Sequence, residues 1–288
     1  MKQINIRTFK DKWNSYRKNP LSLILFLLVT LAAAITILVL AFLIVYILIK
    51  GIPNLNLDLF AWEYNTENVS MMPAIINPLI MTVISLLIAA PLGIFAAIYL
   101  AKYARRGNKL VGVIRLTAET LSGIPSIVYG LFGMIFFVFA LEWGYSLLAG
   151  AFTLAIMILP LIMRTTEEAL LSVPDSYREG SFGLGAGKLR TVFAIVLPTA
   201  IPGILAGVIL AVGRIVGETA ALLYTSGTVA AVPDSLMGSG RTLSVHMYSL
   251  TSEALYMDQA YATAVVLLVV VIAINAFSSW VAKRIKKV

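Results

Sequence analysis

The stretch from Leu21 to Ile49 contains no ionisable side chain other than Tyr46. It constrains the fold more than any other feature of the chain. A bilayer core of about 30 Å takes about 20 consecutive apolar residues as one helix. A helix is also one of only two structures that satisfy every backbone N–H and C=O inside hydrocarbon. Five more segments of that character follow, at about 74–101, 121–141, 145–163, 203–223 and 262–282. The predicted class is an all-α membrane protein with six transmembrane helices. With 60% of residues hydrophobic and 12% charged, against about 25% charged in soluble domains, a soluble enzyme is excluded.

The stretch 21–49 is too long for the apolar core of an export signal and no small-residue cleavage pattern closes it, so it reads as a retained first span. A cytoplasmic basic arm over 1–20 precedes it. Cysteine is absent, which excludes a disulfide framework and thiolate metal ligands. His246, the one histidine, has no carboxylate at ligand spacing and reads as a surface or mouth residue; no metal site is expected.

Charge sets the orientation. With the N-terminus in the cytoplasm, only Lys50 and Arg241 of the 22 basic residues fall outside, and Arg214 falls within a span. Carrying bases across a membrane is costly, so the topology is N-in/C-in. The net charge of +8 then belongs to loops beside the bilayer, and no nucleic-acid partner is expected.

The cytoplasmic segment 164–202 mixes charge with breakers at Pro174, Gly180, Gly183, Gly185, Gly187 and Pro198. Arg164 to Leu171 continues the fourth span. Asp175 reads as an N-cap, a short helix starts at Ser176, and a glycine turn returns the chain into a second helix near Lys188. The run Gly183-x-Gly185-x-Gly187-Lys188 is not a phosphate loop. Phe182 and Leu189 stand where glycine and Ser/Thr are required, and no strand precedes it.

Within that segment, Glu179-Gly180-Ser181, then Gly185, then Ile195, Leu197 and Pro198 resemble the cytoplasmic coupling loop of permeases of binding-protein-dependent ABC importers. Gly180 and Ser181 replace the two alanines usual there. The resemblance implies that these seven residues form an ATPase-coupling loop, with Glu179 and Gly185 at the contact. It also implies that ATP and Mg²⁺ are used by a separate ATPase chain, with no cofactor bound here.

Arg214 and Glu218 form an intramembrane charge pair in Gly213-Arg214-Ile215-Val216-Gly217-Glu218. Counting from Gly203 at the usual helical rise puts Arg214 about 17 Å along the fifth span, near mid-bilayer. Gly203, Gly207, Leu210, Arg214, Glu218 and Ala221 would share one face. Such an arginine must face the bundle interior or a wet cavity. One reading has Arg214 meeting an anionic substrate through its donor fork, with Glu218 orienting it. The other is an i,i+4 salt bridge that only satisfies itself. Ser122, Ser126 and Tyr129 on the third span either offer hydroxyls to an oxyanion or bond neighbouring helices.

The run 213–223, with Leu121–Gly133 and Ala89–Leu100, is similar to A-type permease subunits of phosphate importers, over about 73–283. Ala220 and Ala221 favour the A-type over the C-type sister, which usually has Met-Ala-Val after Gly-Glu-Thr. The resemblance implies a type I importer permease fold of the MetI-like kind, with a permease core over 73–283 and a coupling loop over 164–200. It further implies a phosphate path that includes Arg164 and Glu167 as well as Arg214 and Glu218. The implied partners are a C-type sister subunit, two ATPase subunits and an extracytoplasmic phosphate-binding protein, at a prokaryotic plasma membrane. The chain itself would catalyse no covalent chemistry. Permeation of another oxyanion such as molybdate or sulfate, or ion-gradient-driven carriage, stays open.

Overall fold

The computed structural model describes residues 19–105, 107–252 and 254–285. The basic arm up to Lys18, Arg106, Glu253, Lys286 and Lys287 lie outside the described residues. The chain divides into two compact units, 1–50 and 51–288. Helix α1, Pro20–Gly51, is apolar on every face, as suits a helix surrounded by hydrocarbon.

In the second unit, α2 (Met72–Ile98) runs on through a π turn to Tyr103, and α5 (Leu147–Leu171) stands at the centre. Helix α5 buries Leu154, Ile158, Ile162 and Leu170 completely and packs against α2 on one side. On another it packs against α7, which runs from Lys188 to Val216 with a π segment at Val192–Val196. Small residues make the approach possible: a methyl at Gly203 would stand 2.6 Å from Cβ of Ala169, and one at Gly207 would overlap the Thr165 hydroxyl. The last span is α10, Met257–Ile285.

Five helices are long and apolar enough to cross a membrane, and a bent pair makes a sixth. That pair corrects the predicted third span of 121–141. Helix α3 (Lys109–Ser122) and helix α4 (Ser126–Gly133, continued by a π segment to Ala140) meet at 100°. Pro125 supplies the break, because it lacks an N–H and disfavours helical geometry in the preceding residue. Ser122 therefore ends α3 and shares no helix with Ser126. The Tyr129 hydroxyl donates to Leu121 O at 2.8 Å across the corner, and Ser122 bonds its own helix at Ala118 O.

The fifth span also shifts. It occupies 188–216, not 203–223: the helix runs unbroken from Lys188 through the π segment, and Gly217 ends it. Helix α6 (Asp175–Gly183) is the short cytoplasmic helix. Its cap falls on Pro174 and involves no side chain; Asp175 sits one residue inside and pairs with Arg178 at 3.0 Å.

The external segments fold against the core. Leu147 and Leu148, whose N–H groups start α5 and have no helical partner, donate to Gly238 O and Leu236 O. Asn77 of α2, fully buried, donates to Ala231 O and Arg241 O at 3.0 Å each. Two short helices follow the break at Gly217: α8, Ala220–Leu223, and α9, Leu243–Ser252.

His246 on α9 is a correction: it is completely buried, edge-on to Tyr64, and neither ring nitrogen has a hydrogen-bond partner among the described residues. Burial pulls its pKa down from 6.5 to about 3, and the Arg241 guanidinium adds to the effect. The folded ring stays neutral where the unfolded one takes a proton. Stability present above pH 6.5 is therefore lost as pH falls towards 3, by about 1.4 kcal/mol per unit. Between pH 7.5 and 5 the wild type should lose about 2 kcal/mol that a His246→Leu variant keeps. Equal pH slopes in thermal unfolding of the two proteins would refute the assignment.

Candidate functional site

Three groups of residues carry the charges that span and loop patterning cannot explain. The first surrounds Arg214, in the last turn of α7. A guanidinium there gains a small attraction to the free carbonyls at the helix end, which does not replace a counter-ion. Among the described residues it has no hydrogen bond or ion pair. It lines a hollow of about 600 Å³ between α5, α7 and α10, with Leu161, Leu210, Val271 and Asn275. Glu218 does not join it there. Helix α7 has already ended, and the Glu218 carboxylate accepts from Ala221 N at 3.1 Å while its carbonyl accepts from Ser244 Oγ at 2.6 Å. The expected i,i+4 pair and shared face are thereby overturned: Gly217 turns the chain before the second charge can stack over the first. Glu218, only 8% exposed, thus holds the first turn of α8, whose N-cap position is Thr219.

The second group lies between α3 and α5. Arg115 and Glu167 form an ion pair at 2.6 Å, and Arg164 reaches Glu168 at 3.1 Å and Glu119 at 3.7 Å. Glu167 is buried, whereas Arg164 is exposed. Both line one hollow of about 320 Å³. The structure thus brings Arg164 and Glu167 together, but pairs each with a different residue and keeps them apart from Arg214. Arg115, Glu119 and Glu168 escaped the sequence reading. Their signal was an Arg and a Glu four apart on α3, hidden because 109–120 reads as a loop before a span.

The third group is the knob between α5 and α7. Glu179 and Gly180 are exposed on α6, and Ser181 is buried with its hydroxyl 2.8 Å from that of Thr191. This bond ties the short helix to the root of α7. Gly185 has φ +81°, which favours glycine and reverses the chain. Ile195 and Leu197 are half-buried, and Pro198 is exposed two residues after the π segment. Leu184 at the tip is 91% exposed, with Tyr177, Phe182 and Leu189 also exposed around it. Such an apolar tip on a polar helix marks an interaction surface.

Residues 89–287 match the family model of the binding-protein-dependent transport system inner membrane component. The chain belongs to this family. It is therefore a transport subunit of a multi-pass membrane protein class, not a catalytic one. Among curated relatives, the probable ABC transporter permease protein YqgI of Bacillus subtilis is 34% identical over 89% of this chain and 93% of its own length. The phosphate transport system permease protein PstA of Pasteurella multocida is 36% identical over 80% of this chain and 82% of its own. Among solved structures, a chain of a bacterial alginate ABC transporter in complex with an alginate pentasaccharide-bound periplasmic protein superposes with a TM-score of 0.68. It is 16% identical over 96% of this chain and 98% of that one, so it shows the type I importer permease fold alone.

Proposed function

We propose that the chain is the transmembrane permease subunit of an ATP-driven importer of inorganic phosphate, with Arg214 in the translocation path. The observation that carries the path assignment is the unpaired state of Arg214 in its hollow. A guanidinium without a counter-ion in a low-dielectric site is costly, and a passing phosphate oxyanion supplies the missing charge through two parallel hydrogen bonds. The names of the phosphate-permease relatives support phosphate as that anion. Glu218 acts by fixing the break beyond Arg214, and Arg164 and Glu167 lie in the cytoplasmic ion-pair cluster.

Such a subunit needs a C-type sister subunit to complete the path, a phosphate-binding protein outside and two ATPase subunits inside. ATP and Mg²⁺ belong to the ATPases. The knob at 175–191 is the coupling element: its exposed apolar tip fits a cleft, and the Ser181–Thr191 bond passes motion to α7. Reconstituted uptake of labelled phosphate, driven by ATP and the binding protein, tests this reading. Competition by molybdate or sulfate equal to that by phosphate would overturn the substrate assignment. Uptake surviving an inactive ATPase would overturn the driving force.

Leu184→Asp places a charge at the tip of the knob without touching the core. Binding of the ATPase subunits should weaken by at least about tenfold, the cost of burying one charge in an apolar cleft, while the permease still folds. A pull-down with normal ATPase retention would count against the knob as the contact.

A further inference from the structure

We propose that the cytoplasmic side carries an anion site, separate from the Arg214 hollow, that takes a phosphate-bearing group. A hollow of about 680 Å³ opens between the end of α2, the start of α3 and the knob. Its charged lining is Lys102, Arg105, Arg115, Arg178 and Lys188, against Asp175 as the acid. Two of these bases already have partners: Arg115 is paired with Glu167, and Arg178 with Asp175. The remaining three line the hollow and form no ion pair among the described residues, and Asp175 is held by Arg178. Lys188 lies over the Tyr103 ring at 4.8 Å, a contact that leaves its N–H groups free to donate.

Lys102 is the decisive member. It is only 8% exposed, yet it makes no hydrogen bond or ion pair among the described residues. Of the charges around it, the Arg178 guanidinium repels it more than Asp175, already paired with Arg178, attracts it, so this buried ammonium costs stability unless something anionic arrives. The start of α3 adds a second attraction on the same wall, where Gly107 and Asn108 line the hollow and first-turn N–H groups gather positive potential. Three cations and a helix start match a tetrahedral oxyanion better than a single carboxylate. The exposed Leu110, Val113 and Leu116 of α3 give a phospholipid tail an apolar surface beside it, so a lipid headgroup and free inorganic phosphate are the two sources of the same chemistry. The site would join α2 and α3 to the knob, so that occupancy holds the coupling element against the first span of the core. It does not depend on the transport reading.

The test is thermal unfolding of the full purified chain in a neutral detergent, with phosphatidylglycerol, phosphatidylcholine or inorganic phosphate added at matched ionic strength. Saturation should raise the wild-type Tm by about 5 °C. The shift should be lost in Lys102→Gln and Lys188→Gln, and retained in Arg214→Gln. A shift with phosphatidylglycerol but not phosphatidylcholine identifies the headgroup as the ligand; one with inorganic phosphate identifies the free ion. If Lys102→Gln does not fold, the exposed Lys188→Gln and Arg105→Gln carry the comparison. No shift in the wild type, or equal shifts in wild type and variants, overturns the site. So does a shift lost only in Arg214→Gln, which would place the anion in the other hollow.

Discussion

Arg214→Gln is expected to cut phosphate uptake by about a hundredfold, while the variant chain unfolds at a temperature no lower than the wild type. The two signs together separate a substrate contact from a structural salt bridge. Two charge-assisted hydrogen bonds to an oxyanion are each worth about 1.5–3 kcal/mol, and losing their advantage over a neutral amide accounts for about two orders of magnitude. In the empty protein the same guanidinium is a liability, because it lines the hollow beside Leu161, Leu210 and Val271 with no counter-ion among the described residues. Removing it should therefore leave stability unchanged or slightly raised, the usual exchange at a functional site. Arg214→Lys keeps the charge but not the planar fork, and should fall between. A double-mutant cycle with Glu218→Gln should show coupling below about 0.5 kcal/mol in stability, since Glu218 is bonded to Ala221 instead. Full uptake by Arg214→Gln, or a large loss of stability on its substitution, would remove Arg214 from the path.

Gly130→Val should destabilise the folded chain by about 3 kcal/mol or more, through overpacking against backbone. A Cβ at Gly130 would stand 2.7 Å from Ala221 Cα and 3.1 Å from Ala220 O. Neither atom can swing aside as a side-chain tip would. Helix α4 presses here on the short α8 that Glu218 bonds at Ala221 N, so pushing them apart disturbs the break beside Arg214. Uptake should therefore fall even in the fraction that folds. Gly112→Ala is the control: nothing lies within 4 Å of its added methyl, and the exchange in mid-helix should be neutral or stabilising by up to about 1 kcal/mol. Thermal unfolding of both variants in detergent decides it. A Gly130→Val protein as stable as the control would mean that the α4–α8 contact is looser than the geometry indicates.

The membrane class, the number of helical spans and the helix-turn-helix shape of the segment after the fourth span were legible along the chain. Each depends on local pattern: run length against bilayer thickness, and glycines placed where a turn must reverse. The second half of the loop could be read as a helix from Lys188 for the same reason. The pairing of the charges was not legible in that way. Arg214 and Glu218 stand four apart, the spacing of a salt bridge on any continuous helix, and only the break at Gly217 keeps them from pairing. The third span looked straight because its apolar run is continuous, whereas Pro125 turns it through 100°. That turn brings Arg115 to Glu167, 52 residues apart in the chain. His246 looked like a surface residue because burial is a property of what packs around it, not of its neighbours in sequence. Sequence by itself determined that the chain crosses the membrane and that a short helical turn interrupts its spans between α5 and α7. Tertiary structure alone decided which charges are neutralised by one another and which, like Arg214, have no ion pair among the described residues, because pairing depends on distances that sequence spacing does not set.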